Sequence, residues 1–166
     1  PLDHAFVAVA TYTVGMASSP NITWRVTGQI ANVHISYSTQ GGADGTFTEV
    51  IISSTGSGNG SDISYPWLIL NTPSPNVVLR VADVNNLSVC AKSSSVDPIK
   101  IQCTFNVTSP LTSWVWEVGS AQNINWTTTA GTAPFVKIEF TSVANPQPTD
   151  WQTVVASTVN PPADPV

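Results

Sequence analysis

Charged side chains are scarce in this sequence. Lys, Arg, Asp and Glu together make up 9% of the 166 residues, whereas soluble globular domains carry about 25%. Five residues are basic and they do not cluster, which argues against nucleic acid as a partner because a phosphate backbone needs grouped cations. Ser and Thr take most of the polar positions instead. A surface with so little charge needs another source of solubility, and covalent glycans or burial in an assembly would each provide one.

Residues that carry out chemistry are also few. His4 and His34 are the two histidines, and His34 alternates with apolar neighbours, so we expect it to face solvent from a strand. No Gly-x-Ser-x-Gly motif occurs, and the acidic residues lack the dense spacing of a calcium loop. We therefore expect no catalytic residue, no metal site and no cofactor, and we predict that the protein is not an enzyme.

Long apolar runs and helical periodicity are absent as well. No apolar segment reaches the roughly 20 residues of a membrane span, which predicts no membrane span. The chain begins at Pro1 without a positively charged leader, which is typical of a processed or partial form. β-branched residues, Pro and Gly recur throughout, and short alternating runs between turn clusters predict an all-β sandwich.

Two cysteines, Cys90 and Cys103, allow only one disulfide. They flank residues 91–102 and would face each other if that segment formed a hairpin. We predict a disulfide between them, and two separate buried thiols are the alternative.

The sequence repeats itself. Residues 21–24, NITW, return as residues 123–126, NINW, and residues 33–37, VHISY, return as residues 136–140, VKIEF. Such self-similarity predicts two units of one fold.

The second copy of the repeat is shorter than the first. Residues 47–51, FTEVI, still return as residues 151–155, WQTVV, but about residues 59–101 have no counterpart in the second copy. We predict one domain over residues 13–104 and an incomplete domain over residues 105–166. A β-domain without its last strands has an unpaired edge and an uncovered core.

The N-terminal segment is apolar on both faces. Strand residues alternate between faces, and neither face is polar over residues 5–10. Such a strand requires burial on both sides. We therefore predict that residues 1–12 form a donor strand for an incomplete domain, carried by Ala5, Phe6, Val7, Ala8, Val9, Ala10 and Tyr12.

The predicted acceptor is the uncovered core of the second copy. Pairing would satisfy backbone hydrogen bonds and bury apolar surface, and between molecules a head-to-tail contact of this kind propagates into a filament. The predicted groove residues are Val107, Trp116, Ile124, Trp126, Ile138, Phe140 and Val154.

The motifs resemble two known groups of proteins. Val14-Gly15, residues 21–24, residues 33–37 and the turn at residues 38–42 resemble bacterial surface immunoglobulin-like repeats. The incomplete copy and the apolar N-terminus together resemble donor-strand-exchange pilus subunits. The resemblance implies two tandem immunoglobulin-like β-sandwich domains, the second incomplete, with an N-terminal extension strand. It further implies an extracellular, cell-surface helical homopolymer, whose partners are copies of itself.

Five Asn-x-Ser/Thr sequons are present. Strand parity or turn-like surroundings predict that each faces solvent, where it would accept a glycan or stay unmodified. The acceptor residues are Asn21, Asn59, Asn86, Asn106 and Asn125.

Two other functions remain open at this stage. The six tryptophans are compatible with a cell-surface adhesin or a carbohydrate-binding accessory module, with Trp114 and Trp116 on a shared strand face. Trp24 and Trp126 recur at equivalent positions, which favours core packing for that pair. The chain would alternatively be an excerpt of a longer array of repeats.

Overall fold

The computed structural model of the chain describes residues 2–6, 11–15, 20–111 and 114–160. This part of the chain is all-β apart from a 3-10 turn at Pro148–Asp150, as the sequence predicts, and it has no helix long and apolar enough to cross a membrane. The strands are β1 (Leu2–Phe6), β2 (Thr11–Thr13), β3 (Asn21–Val26), β4 (Asn32–Ser38), β5 (Glu49–Gly56), β6 (Asp62–Pro66), β7 (Ser74–Asp83), β8 (Asn86–Lys92), β9 (Ile99–Gln102), β10 (Thr104–Ser109), β11 (Asn125–Ala130), β12 (Phe135–Phe140) and β13 (Gln152–Val159).

The first repeat, β1–β9, forms two sheets in a sandwich-like arrangement. The small sheet has the order β1-β3-β6, and the large sheet has the order β2-β9-β7-β4-β5 with β8 also paired to β7. All pairings are antiparallel except that of β2 with β9, which is parallel.

The core of the first repeat lies between these two sheets. In β3, Ile22, Trp24 and Val26 are buried while the intervening residues are exposed, which is the period of two that the sequence predicts. Trp67, just after β6, is fully buried between the rings of Tyr12 and Tyr37, at centroid distances of 6.2 and 5.5 Å. The small and large sheets are therefore joined by a layer of aromatic side chains.

The second repeat, β10–β13, consists of two separate two-stranded sheets. β10 pairs with β11, and β12 pairs with β13. Within the described residues neither sheet has a third strand. Many large apolar side chains of this repeat are consequently exposed, including those of Val107, Phe135 and Phe140.

The junction between the two repeats is short. Cys103 alone separates β9 from β10. The Asn71 side chain donates to Thr132 Oγ1 at 2.7 Å and accepts from the Thr132 backbone N–H, also at 2.7 Å. Gly131 has φ +79°, and a Cβ there would lie 2.7 Å from Cys103 Sγ. Glycine is therefore required both for the backbone conformation and for the close contact.

The N-terminal strands pair within the single chain. Ala5 and Phe6 lie in β1, which pairs with β3 of the same molecule, and Tyr12 lies in β2, which pairs with β9. Residues 7–10 of the predicted donor lie outside the described residues. Within a single chain the first repeat is thus completed by its own N-terminal strands, and their donation to a second molecule stays a prediction.

The predicted disulfide is wrong, since Cys90 and Cys103 are free thiols. They do not face each other across a hairpin, because β8 and β9 lie one after the other along β7. Cys90 is opposite Ala82, whereas Cys103 lies beyond Ile101, which is opposite Ser74 at the other end of the same ten-residue strand. That strand spans roughly 30 Å, and a disulfide needs Cα atoms within about 7 Å.

The strand that was predicted to carry Trp114 and Trp116 on one face does not form. Its counterpart in the first repeat, β2, depends on the parallel partner β9. The described second repeat has no counterpart of β9, so Trp114–Val118 lacks a ladder and is irregular up to a turn at Gly119, φ +85°.

Candidate strand-acceptor groove

An apolar groove of about 520 Å³ runs between the two sheets of the second repeat. Six of the seven predicted groove residues line it, and the seventh, Val154, lies on β13 outside the lining. The six are Val107, Trp116, Ile124, Trp126, Ile138 and Phe140.

Sequence reasoning missed other lining residues, mainly Phe105, Phe135 and Val136. Phe105 alternates with Val107 on β10, so strand parity contained the signal for it. Strand parity would not have found Phe135, because it selects only every second residue of a strand. In β12, Phe135–Phe140, all six residues border the groove, including those on opposite faces. The groove therefore follows the edge of β12 and not just one of its faces.

Two strand edges that are paired in the first repeat are open here. β4 has β5 on one side and β7 on the other, whereas its counterpart β12 pairs only with β13 among the described residues. β3 lies between β1 and β6, whereas its counterpart β11 pairs only with β10 among the described residues. Open edges beside an apolar groove are what β-strand addition requires.

A partly buried hydrogen-bond network holds the floor of the groove. The Trp126 indole N–H donates to Asn160 Oδ1 at 2.8 Å, and the Asn160 amide donates to Thr128 Oγ1 at 3.0 Å and to the Ala133 carbonyl at 2.8 Å. The Asn160 backbone N–H donates to the Pro134 carbonyl at 3.0 Å. These bonds connect β11, the β11–β12 loop and the end of β13, so the groove is preorganised.

The groove carries little charge. Lys137 and Glu139 at its rim pair with each other at 2.5 Å. Across the described residues, no group of three His, Cys, Asp or Glu side chains is arranged to hold a metal ion. The chemistry available in this groove is apolar burial and backbone hydrogen bonding.

The two tryptophans that were predicted to share a face have different surroundings. Trp116 lines the groove with 39% of its surface exposed, whereas Trp114 is 52% exposed and outside the groove lining. The physical reason is the loss of the strand, since an irregular segment does not keep residues two apart on one face.

All five sequon asparagines are exposed. Asn106 lies between Phe105 and Val107, and Asn125 precedes Trp126, so the two asparagines project away from the groove. The exposed positions are Asn21, Asn59, Asn86, Asn106 and Asn125.

Comparisons with protein-family models, with curated proteins and with solved structures found no match.

Proposed function

We propose that this chain is a structural subunit of an extracellular helical fibril or pilus on a cell surface. It is built from two tandem immunoglobulin-like β-sandwich units. A β-strand from another molecule of the same chain completes the second unit. The observation that carries the proposal is that, among the described residues, β12 and β11 each have one open edge beside an apolar groove, whereas β4 and β3 are paired on both sides.

The exposed apolar surface of the groove supports assembly, because assembly would bury it. Phe140 is 51% exposed, whereas Tyr37 at the equivalent position of the first repeat is fully buried. Covering such apolar surface stabilises an interface by about 25 cal/mol per Å². An uncovered apolar patch beside unpaired backbone groups otherwise promotes uncontrolled association.

The donor in this proposal is the N-terminal segment of another molecule, residues 5–12. In the first repeat the place beside β4 is taken by β7, whose consecutive residues Val77, Val78 and Leu79 are all buried. β6, in contrast, alternates between exposed and partly buried residues. The N-terminal segment is apolar on both faces, as β7 is. It therefore suits the position beside β12 that corresponds to the position of β7 beside β4, where it would run antiparallel to β12.

Donation requires β1 and the first two residues of β2, Thr11 and Tyr12, to leave their own molecule, so that Tyr12 gives up its pairing with β9 and its contact with Trp67. β1 is the edge strand of the small sheet, and β3 stays paired with β6 when β1 is removed. Exchange of an edge strand between identical molecules is a known route to assembly. One strand covers the β12 edge, and the β11 edge takes a second element of a neighbouring molecule.

The sharpest test places a charge in the groove without altering β1. Phe140→Lys lies at an already exposed position of the second repeat, so the unassembled chain should fold while filament formation is lost. Val50→Lys is the matched control, because Val50 is 49% exposed on β5 and outside the groove lining. Electron microscopy of both variants should show filaments for Val50→Lys and none for Phe140→Lys.

Two results would overturn the proposal. Normal filaments from Phe140→Lys would exclude the groove as the assembly site. An intact mass of the mature protein that includes further residues, with counterparts of β6, β7 and β9, would mean that the groove is completed within one molecule. Removing residues 1–12 is a poorer test, because it also deletes β1 and two of the three residues of β2 from the first repeat.

A second function, that of an adhesin or carbohydrate-binding module, is favoured by the exposure of Trp114. Glycan-array binding that is lost in Trp114→Ala and kept in Phe140→Lys would support it. Covalent glycans at the exposed sequons belong to the leading proposal, and mass shifts upon enzymatic deglycosylation would detect them.

A further inference from the structure

The open edge of β11 is occupied at the equivalent place in the first repeat. There, β6 pairs antiparallel with β3 over five consecutive residues, so that Trp24 is opposite Ile63 and Asn21 is opposite Pro66. β11 is the counterpart of β3, because Trp126 repeats Trp24, and among the described residues it pairs only with β10. The β11 edge therefore fits a strand with the properties of β6.

β6 itself has a free edge. It is the last strand of the small sheet, whose order is β1-β3-β6. The Trp67 backbone N–H donates to the Pro20 carbonyl at 2.7 Å, so every second residue counted back from Trp67 directs its backbone groups towards β3. The residues between them, Asp62 and Ser64, direct their backbone N–H and C=O groups to the opposite edge, where a further strand would meet them.

The regularity of β6 distinguishes it from the other edge strands of the described residues. Its pairing with β3 has no register shift, whereas the pairings of β1, β5, β8, β10 and β13 each contain at least one. β2 is regular but only three residues long. Bulges and short lengths protect edges from strand addition. β6 lacks both, and Pro66 removes a donor only at its last position.

Exposed apolar side chains extend the free edge of β6. Leu68 and Leu70 follow the strand and are 64% and 39% exposed. On the acceptor, Val115 and Val118 precede β11 and have nearly all of their surface exposed. In an antiparallel pair the C-terminal end of one strand lies beside the N-terminal end of the other. Both apolar stretches therefore come to the same end of the contact, where their burial would stabilise it.

Charge does not oppose a contact between these two edges. β11 has no charged residue. Asp62, the one charged residue of β6, forms an ion pair with Arg25 of its own molecule at 2.7 Å. The two edges can therefore approach without like-charge repulsion.

We propose that β6 of a second molecule adds to the open edge of β11, antiparallel to it, while it stays paired with its own β3. The inference rests on the proposed function and names the second element that the β11 edge takes. β10 and β11 of one molecule then form one sheet with β6 and β3 of the other. With Trp126 opposite Ile63, as Trp24 is in the first repeat, the apolar faces of both molecules lie on one side of that sheet.

Ser64→Pro tests this contact, because the Ser64 N–H points to the free edge and is not needed for pairing with β3. Proline is compatible with an edge strand at such a position, but it has no N–H for a further strand. We expect Ser64→Pro to fold, with a melting temperature within about 5 °C of that of the control Ser64→Ala. Electron microscopy should show normal filaments for Ser64→Ala and none for Ser64→Pro.

A second variant keeps the test valid if Ser64→Pro does not fold. Leu68→Lys changes an exposed side chain, so the chain should fold, and the charge should abolish filaments. Val96→Lys is the matched control, because Val96 is 95% exposed in the loop between β8 and β9. Normal filaments from both Ser64→Pro and Leu68→Lys would overturn the β6 contact.

Hydrogen exchange locates the contact in the unaltered chain. The Ser64 amide should exchange at least about tenfold more slowly in filaments than in the unassembled chain, because it gains a hydrogen-bond partner. Mass spectrometry with electron-transfer fragmentation measures this amide. Equal exchange in the two states would contradict the proposal.

Failure of this contact and failure of the proposed function give different results. If Phe140→Lys abolishes filaments while Ser64→Pro and Leu68→Lys keep them, the groove remains the assembly site and the β6 contact is overturned. If Phe140→Lys leaves filaments unchanged, the proposed function is overturned, and the β6 contact, which rests on it, is overturned with it.

Discussion

Trp126 and Asn160 repeat, with different chemistry, a contact between Trp24 and Ser57. The Trp126 indole N–H donates to the Asn160 side-chain oxygen at 2.8 Å, whereas the Trp24 indole N–H donates to the Ser57 backbone carbonyl at 3.2 Å. The backbone N–H groups of the two partners also match. That of Ser57 donates to the Ala31 carbonyl and that of Asn160 to the Pro134 carbonyl, each at 3.0 Å, and both acceptors lie in the loop after the strand that carries the tryptophan. The second repeat thus reproduces the local packing of the first as far as residue 160.

Asn160→Ala should destabilise the second repeat. The change leaves the partly buried Trp126 N–H and Ala133 carbonyl without their partner. A fully buried group would cost about 1–3 kcal/mol, so we expect a loss near the lower end of that range. Urea unfolding followed by tryptophan fluorescence should show an earlier transition for the second repeat. Gln152→Ala, at an exposed position of β13, is the control and should leave both transitions in place.

Gly131→Ala should disturb the junction between the repeats. The new methyl group would lie 2.7 Å from Cys103 Sγ, and the left-handed φ of +79° would strain an alanine by about 1 kcal/mol. Small-angle scattering should report an altered angle between the repeats. Adding Cys103→Ala relieves the contact but not the backbone strain, so partial recovery is expected. An unchanged scattering profile for Gly131→Ala alone would contradict the close contact.

The aromatic residues should differ in their importance for an isolated molecule. Trp67→Ala empties a fully buried space and should lower the free energy of unfolding by about 3–5 kcal/mol. Trp116→Ala removes a partly exposed side chain and should cost under about 1 kcal/mol before assembly. Thermal denaturation of unassembled protein measures both. A large loss for Trp116→Ala would mean that its space is already filled within one molecule.

Both cysteines should react as free thiols. Maleimide labelling under non-reducing conditions should add two labels per chain, because neither thiol is in a disulfide. Burial raises the pKa of the Cys103 thiol above its ordinary value of 9.0, so its thiolate is rarer and its labelling slower than in the unfolded chain. Mass spectrometry of the intact protein at pH 7 and in denaturant provides the comparison, and a single disulfide-linked species would refute the free thiols.

Alkaline pH should weaken the fold through Tyr37 and Cys103. Burial raises the pKa of the Tyr37 hydroxyl and of the Cys103 thiol, although the hydrogen bond to Thr72 partly offsets the effect for Tyr37. The pKa values of both groups are higher in the folded state than in the unfolded chain, where they lie near 9 for Cys103 and 10 for Tyr37. The contribution of each protonated group to folding stability is therefore complete below its unfolded pKa and is lost as pH rises through its folded pKa. Tyr37→Phe and Cys103→Ser should each flatten the fall in melting temperature above about pH 9.

Much of the fold was readable from local pattern. The alternation of Ile22, Trp24 and Val26 predicted a half-buried strand, because side chains on a strand alternate between faces whatever the sheet. The same parity and the internal repeat identified six of the seven groove residues. Val154 was misplaced because β13 pairs with β12 through irregular register shifts, which simple parity does not include.

Other features depended on partners that are distant in the sequence. Cys90 and Cys103 were expected to face each other across a hairpin, but β8 and β9 both pair with β7. The alternation of apolar and polar residues along a strand does not reveal which other strand it pairs with. Trp116 was expected in a strand, yet a parallel strand needs a partner that the described second repeat lacks.

The sequence by itself determined an all-β chain with two copies of one strand pattern, because side-chain periodicity and turn residues act locally. Only the tertiary structure decided that β1 pairs with β3 in the same molecule while β11 and β12 each keep an open edge in the part of the chain that the structure describes. Hydrogen bonds between strands are backbone contacts that any residue except proline makes, so the choice of partner is set by proximity and packing in three dimensions.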